Sequence, residues 1–473
     1  MFKVRIGFVP SNWDAWDGNA HTGKWAGRMR DRCVKALESV PGLELVVPTR
    51  EMTGDGCVST EEQARQVLEL FKKENVRGLL IGNMTFGMEV AVGTLLSGLP
   101  KDMPILHFST PSGPISDSGE RSTDTWCGQF MTASAIKRRG FKFVHLLPCA
   151  PEDPQFGDQV ALFARAVCAV SRFRGARLGQ IGTRPRLFES QFWSEENLQR
   201  QFSQMVVPMD LATAFARLDA IRPDDPDVKR TVQEIRRGAA IGDVHDENSI
   251  VNQARYEVSL ERIARELDVQ ALAACCWTQL QERYGISACS TYGRLNEKGL
   301  ITACEVDLLG AASMWAVYCA ALGEAKPDFI DWTDLHPTEK NVWLAWHCGN
   351  AAGSLCAADS PKRLLRNERM IQWCPNCHGA MEFRLKSGPV TCARLVEYDG
   401  QYTMFAGVGE IIDIPPFIRG AYGWVKVNDI GDWEHKMVEA GIIHHGTIIH
   451  DPKVADALEL FCKFLGINCV RGA

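Results

Sequence analysis

Val76-Arg-Gly-Leu-Leu-Ile-Gly-Asn83 is an apolar run of strand length that stops at Gly-Asn, and the segment before it, Thr60 to Glu74, carries its apolar residues at helical spacing. Working outward, Phe2 to Val9 and Leu43 to Val47 read as strands and Trp25 to Ser39 as a helix. Further strands are expected at Pro104 to Phe108 and Phe141 to Leu147. Strand and helix alternate, which predicts a parallel sheet with right-handed crossovers. Ligands gather beyond the carboxyl ends of such strands, and Asn12 and Asn83 stand just after two of them.

A second α/β stretch opens at the Gly-rich Arg177 to Arg186 and passes through a polar segment, Arg222 to Asp246. A long helical pattern covers Val251 to Tyr284, with a break near Asp268. A strand from Gly299 to Cys304 and an apolar helix from Leu308 follow. From Asp331 the texture changes to short β-type runs, Val342 to Trp346, Met381 to Leu385, Val390 to Glu397 and Gln401 to Gly409, closed by a helix from Val454 to Leu465. The fold class is α/β: two Rossmann-like or flavodoxin-like α/β domains, 1–175 and 176–325, followed by a β-rich, barrel-like C-terminal domain, 326–473.

Composition excludes several function classes. The 473 residues carry 52 Lys and Arg against 58 Asp and Glu, a net charge of −6, so no basic excess exists to neutralise a phosphate backbone. No apolar stretch reaches the roughly 20 residues of a membrane span. The 17 cysteines are odd in number, and several sit in apolar runs. The beginning, MFKVRIGFVP, lacks the pattern of an export signal, and together these features predict a reduced, cytoplasmic protein.

Few motifs carry chemistry. Gly18-Asn-Ala-His-Thr-Gly-Lys-Trp25 nearly spells a phosphate-binding loop, but Trp25 replaces the hydroxyl that ligates Mg²⁺. Cys374-Pro-Asn-Cys-His378 has the spacing of haem attachment, yet without export or a second cysteine pair it reads as a turn of reduced thiols; a zinc or redox role is the rival. Glu305 and Asp307 stand where an apolar strand gives way to an apolar helix. A carboxylate there is expensive unless paired, metal-bound or, for Asp307, used as a helix cap. Glu282 lies near the end of the preceding helix. In the strand-like run Gly441 to His450, His444 and His445 are expected on opposite faces, so that at most one of them faces the core of a site.

Taken together, Glu305-Val-Asp307-Leu-Leu-Gly and His445-Gly-Thr-Ile resemble the L-fucose isomerase and L-arabinose isomerase superfamily, the metal-dependent aldose–ketose isomerases. The resemblance implies a metal held by Asp307 and His445 with a glutamate upstream, for which Glu282 is chosen and Glu305 kept as the fallback. It implies that Glu282 and Asp307 also move the protons, and that His347, Asn350, Gln279, Trp13, Asn12 and Asn83 touch the sugar. Two carboxylates and one imidazole suit Mn²⁺, with Mg²⁺ or Co²⁺ as substitutes. The implied substrate is an open-chain aldose of the L-fucose or D-arabinose type. A sugar with an anionic C6 such as sulfoquinovose is the alternative, with Arg121, Arg294 or Arg419 to meet the anion. A homo-oligomer, trimer or hexamer, with the site at a subunit interface is implied as well. From another class comes a non-catalytic sugar-binding module.

Overall fold

The computed structural model describes residues 1–13, 24–242, 247–367 and 377–472. The Gly18 to Gly23 part of the near phosphate loop, and Cys374 to Asn376, lie outside the described residues. These residues form two compact units: Met1–Ser171 with Lys463–Gly466, and Arg172–Cys462 with Ile467–Ala473. The second α/β sheet and the β-rich part thus share one unit.

In the first unit, β1 (Val4–Ser11), β2 (Leu43–Val46), β3 (Gly78–Asn83), β4 (Ile105–Ser109) and β5 (Phe143–Leu146) make a parallel sheet in the order β2-β1-β3-β4-β5. This is the flavodoxin-like order, whose switch point lies between β1 and β3. Val67, Phe71, Leu79, Ile81 and Leu95 fill one core between sheet and helices.

The second unit begins the same way. Strands β6 (Arg177–Ile181), β7 (Met205–Met209), β9 (Ala271–Ala274) and β10 (Ile301–Ala303) pair in parallel in the order β10-β9-β6-β7, while the two-residue β8 (Ala240–Ile241) joins another sheet. The chain leaves β6 toward β7 and returns on the other side as β9, so the switch point lies between β6 and β9. The helical pattern breaks near Asp268 as expected, the first helix ending at Leu267, but the strand β9 separates it from the short helix Gln279–Tyr284. Asp268 adopts left-handed backbone (φ 51°) and closes the helix; the alanine-rich Ala271–Ala274 has no strand signature in its side chains and becomes a strand because all four residues are buried.

The β-rich part closes into a barrel. Strands β11 (Pro327–Leu335), β12 (Val342–His347), β15 (Gly388–Tyr398), β16 (Gln401–Ile412), β17 (Ala421–Lys426) and β18 (His445–Ile449) pair antiparallel in the order β16-β15-β18-β11-β12-β17, and β17 pairs back onto β16. Closure removes the exposed edges of these six strands. Strands β13 (Arg363–Arg366), β14 (His378–Arg384) and β19 (Asn468–Gly472) extend the sheet beyond the ring. Ile330, Trp343, Phe405, Val425, Trp433 and Ile448 lie in its core. Between the parallel sheet and the barrel runs the helix Leu308–Ala320, buried at every position, as an all-round apolar helix must be. No described helix is long and apolar enough to cross a membrane.

One acid in the barrel gives a test. Asp328 on β11 is buried with neither carboxylate oxygen in a hydrogen bond, and burial pushes it up to about 8. The unfolded chain ionises such a group near about 3.9. The folded state therefore holds a proton that the unfolded state has lost between these values, so stability from this residue falls as pH rises through that window. Asp328→Asn is expected to be more stable than the parent by a few kcal/mol at pH 8 and by much less at pH 4. Denaturant unfolding at both pH values checks this, and a difference that does not change with pH would refute it.

Candidate active site

The site forms at the carboxyl ends of β6, β9 and β10, where an open α/β sheet offers its crevice. Its centre is set by the turn after β10. Glu305 and Val306 both adopt left-handed backbone, φ 60° and 57°. For non-glycine residues this costs on the order of 1–3 kcal/mol each and persists where the surroundings over-determine it. The turn delivers two carboxylates, Glu305 and Asp307, to neighbouring positions.

Asp307 is fully engaged. Its Oδ1 accepts the Gly310 amide at 2.8 Å, which caps the helix Leu308–Ala320, and Arg394 of β15 donates from Nη1 to Oδ2 at 2.5 Å and from Nη2 to Oδ1 at 3.0 Å. His445 Nδ1 stands 2.8 Å from the same Oδ2. Asp307, Arg394 and His445 are each at most 1% exposed. Burial alone would raise the Asp307 carboxyl, but the Arg394 charge and the His445 contact outweigh it and hold the group below the usual carboxylate range. Gly310 must be glycine, since a Cβ there would lie 2.6 Å from Phe329 and 2.8 Å from the Asp307 carboxylate.

Because Asp307 takes Nδ1, the free nitrogen of His445 is Nε2. It lies 3.4 Å from Glu305 Oε2 and 3.5 Å from Asp331 Oδ1 on β11. Burial disfavours the charged imidazole, yet hydrogen bonds to Asp307 and Glu305 lift it to about 9. A position that favours a proton this strongly, between two carboxylates, also favours a cation. Two sets of donors converge there, Glu305 with His444 and His445, and Asp331 with His347 and His445, each set with its ligand atoms within 4.8 Å of one another. Asp331 Oδ1 and His347 Nδ1 are buried and accept or donate no hydrogen bond. Imidazole and carboxylate donors with unsatisfied atoms facing one point fit a divalent metal.

The walls come from three segments. Trp277, after β9, donates Nε1 to Glu305 Oε1 at 3.3 Å. Gln191, after β6, places Nε2 3.4 Å from Glu305 Oε2 and 3.4 Å from His445 Nδ1, and its buried Oε1 is unpartnered. The Phe188 ring lies 5.0 Å from His444 and 5.9 Å from Trp277.

Among the expected site residues, Asp307, His445, His347 and the fallback Glu305 come together. Asn350 is close by, its Nδ2 donating to the Phe329 carbonyl at 3.0 Å and meeting Cys304 Sγ at 3.5 Å, with Oδ1 unpartnered. Glu282 does not join them: it is exposed on the short helix Gln279–Tyr284, and Glu305 is the glutamate beside His445. Gln279 is exposed too, its Oε1 accepting from Cys275 Sγ at 3.6 Å. Asn12, Trp13 and Asn83 belong to the first unit, where Thr85 donates to Asn12 Oδ1 at 2.8 Å and accepts from the Trp13 amide at 3.0 Å, and Asn83 meets His107 at 3.0 Å. His444 and His445 do not oppose each other. His444 precedes β18, so strand alternation does not reach it, and the two rings lie 3.9 Å apart. Asp331, Arg394, Gln191 and Trp277 carried no motif. Cys377 is buried, Sγ facing the Asn367 carbonyl, and neither it nor His378 enters a metal-holding group among the described residues.

Residues 19–174 match the family model for the fucose/sulfoquinovose isomerase N-terminal domain, and residues 345–471 match that for the L-fucose isomerase C-terminal domain. The chain is 25% identical over 305 residues to a sulfoquinovose isomerase of Alkalicoccus urumqiensis, covering 63% of this chain and 66% of that one. A sulfoquinovose isomerase of Priestia aryabhattai is 21% identical over 407 residues, 85% of this chain and 87% of its own. One from Clostridium sp. (strain MSTE9) is 22% identical over 347 residues, 71% and 74% of the two chains. The chain belongs to the fucose/sulfoquinovose isomerase family of aldose–ketose isomerases.

The buried pair is open to direct test. Removing one partner of a buried ion pair leaves an uncompensated charge, which costs about 3–5 kcal/mol. Arg394→Ala is expected to lose that much stability in denaturant unfolding, and Arg394→Met combined with Asp307→Asn to lose less than Arg394→Ala alone. Additive losses from the two positions would show that the pair is not coupled.

Proposed function

We propose that this protein is a divalent-metal-dependent ketol isomerase, with Mn²⁺ as the preferred ion, acting on an aldose with an anionic C6 substituent such as sulfoquinovose. The observation that carries the reading is a pair of overlapping donor sets, Glu305 with His444 and His445, and Asp331 with His347 and His445, which share His445 and in which Asp331 Oδ1 and His347 Nδ1 are unsatisfied. The names of the relatives favour sulfoquinovose over L-fucose or D-arabinose, the first choice on the sequence motifs. A sugar-binding module would have no need of this convergence of buried, unsatisfied donor atoms.

Glu305, His444 and His445 are the residues that would hold the metal, with Asp331 and His347 grouped on the same His445 beside them. Asp307 we assign to positioning: with its oxygens committed to Arg394, Gly310 and His445, it fixes which imidazole nitrogen faces the ligand side. When bound, the metal supplies Lewis acidity toward the sugar's carbonyl and hydroxyl oxygens and a template for their geometry.

The remaining chemistry falls to the chain itself. Moving the carbonyl from C1 to C2 requires a base that takes the C2 proton and returns it at C1, with oxygen protons managed alongside. Asp331 is the base we assign, because its Oδ1 is unpartnered, lies 3.5 Å from His445 Nε2, and belongs to a side chain that is partly accessible. Glu305 is held ionised by His445 against its burial, its Oε2 3.4 Å from the same nitrogen. Trp277 and Gln191 orient Glu305 by hydrogen bonds. The Phe188, Trp277 and Phe329 rings keep the cluster dry on their sides, which strengthens every charge interaction within it. The proposal includes a homo-oligomer, supported by Trp126 and Phe130, exposed and edge to face at 5.5 Å on the helix Thr125–Arg138.

Chelator treatment followed by Mn²⁺ addition is expected to abolish and restore ketose formation across a panel of aldoses that includes sulfoquinovose. No turnover of any aldose with metal restored would overturn the reading. Glu305→Gln and His445→Ala should lose stoichiometric metal in elemental analysis while Glu282→Gln keeps it. Metal retained in the first two and lost in the third would return the ligand role to Glu282.

A further inference from the structure

A cavity of about 420 Å³ opens beside the cluster, lined by Thr183, Arg184, Arg186, Gln191, Trp193 and Val306 among others, with no acidic residue in its wall. It reaches the reactive centre through two of these. Val306 follows Glu305 in the turn, and Gln191 Nε2 lies 3.4 Å from both Glu305 and His445. The other Gln191 atom, Oε1, is buried in a side chain only 2% exposed and has no partner, so it awaits a hydroxyl donor.

The two arginines differ from those that the sequence suggested for an anion. Arg121 is paired with Asp124, Arg294 with Glu257 and Glu234, and Arg419 with Glu382, so each already has its carboxylate. Arg184 and Arg186 have no carboxylate within ion-pair distance among the described residues. Arg184 is nevertheless held in place: Nη1 donates to the carbonyls of Pro185 and Phe188 at 3.2 Å each, and its guanidinium lies 4.5 Å over the Phe192 ring. Its anchor, Phe188, is the residue whose ring packs on His444 and His445. Arg186 is exposed and carries an unpaired charge into the same cavity.

We propose that Arg184 and Arg186 are the clamp for the tetrahedral oxyanion at C6 of the sugar, and that they select a sulfonated aldose over its neutral 6-deoxy counterpart. The inference rests on the isomerase reading above. A guanidinium fork matches such an anion through paired N–H donors, and a preset Arg184 with an exposed Arg186 gives two such forks in one cavity. With Gln191 Oε1 receiving a hydroxyl between them, the anion end and the carbonyl end of one open-chain hexose are fixed in one cavity.

The test compares sulfoquinovose with quinovose, which lacks the sulfonate, and with glucose 6-phosphate. A hydrogen bond to a charged group is worth enough that losing one guanidinium should lower the sulfoquinovose-to-quinovose ratio of kcat/KM about 10- to 100-fold. That drop is expected for Arg186→Gln and Arg184→Gln, with partial rescue in Arg186→Lys. The same ratio is read without turnover, as calorimetric Kd values on chelator-treated protein. A ratio unchanged in both variants, including one in which both sugars lose equally, would overturn the clamp. A fall confined to glucose 6-phosphate would assign the cavity to phosphate and overturn the sulfonate assignment. If the wild type turns over no aldose, the isomerase reading fails, and the calorimetric ratio still decides the clamp.

Discussion

The arrangement depends on a buried carboxylate that cannot be left alone. Asp307 sits at the N-terminus of a helix with no solvent-facing side, and three kinds of donor satisfy it: a backbone amide, a guanidinium and an imidazole. Each donor comes from a different part of the second unit, the amide from the helix, Arg394 from β15 and His445 from β18. Because an unpaired buried charge costs several kcal/mol, the parallel sheet and the barrel must meet in the one register that brings these donors together. The same requirement fixes Gly310, which leaves room for the carboxylate, and Phe329, whose ring lies 4.6 Å from His445.

That constraint also prepares the chemistry. An imidazole with two equivalent nitrogens would be a poor ligand, because its tautomer would follow whatever approached it. With Nδ1 committed to Asp307, Nε2 is left facing Glu305 and Asp331, and the charge that gathers around it is negative. The strained turn at Glu305 and Val306 and the register shift between Trp332 and Asp334 in β11 both flank this point. Such local departures from regular backbone re-aim side chains, and here they bring two carboxylates within 3.5 Å of the ligand nitrogen.

The sequence made part of this legible. Glu305-Val-Asp307 declared itself because two acids interrupt an otherwise apolar strand-to-helix passage, where only pairing makes them tolerable. His445 is reached through the resemblance of its His-Gly-Thr-Ile run, because three of the 11 histidines cluster in Gly441 to His450 and strand alternation alone does not choose between His444 and His445. The glutamate was harder: Glu282 and Glu305 both precede the helix, and nothing in their spacing says that a left-handed turn swings Glu305 inward. Asp331, Arg394 and Gln191 carry no local pattern, since their roles arise from barrel closure and from a loop after β6, and long-range pairing of that kind leaves no trace in neighbouring residues. β9 was hidden for a related reason: its four small apolar residues follow a helix directly, and only burial on both faces makes them a strand.

Both parallel sheets share one strand order, yet their switch points are treated differently. In the first unit polar groups at the crevice bond largely to one another: Asn12 meets Asp55 and Thr85, Asn83 meets Phe86, Thr132 and His107, and Thr110 donates to the Asn83 carbonyl, while His107 Nδ1, Ser122 Oγ and Gln129 Oε1 stay unpartnered. In the second unit Gln191 Oε1, on the loop after β6, and His347 Nδ1 and Asn350 Oδ1, at and just after the end of barrel strand β12, are buried with no partner. A buried polar atom without a bond costs about 1–3 kcal/mol, and a fold that carries three around one cluster gains nothing from them until a ligand completes them. What distinguishes the second unit is therefore the company these atoms keep: they lie beside grouped carboxylates and imidazoles, a setting suited to a ligand with hydroxyls and a cation to offer.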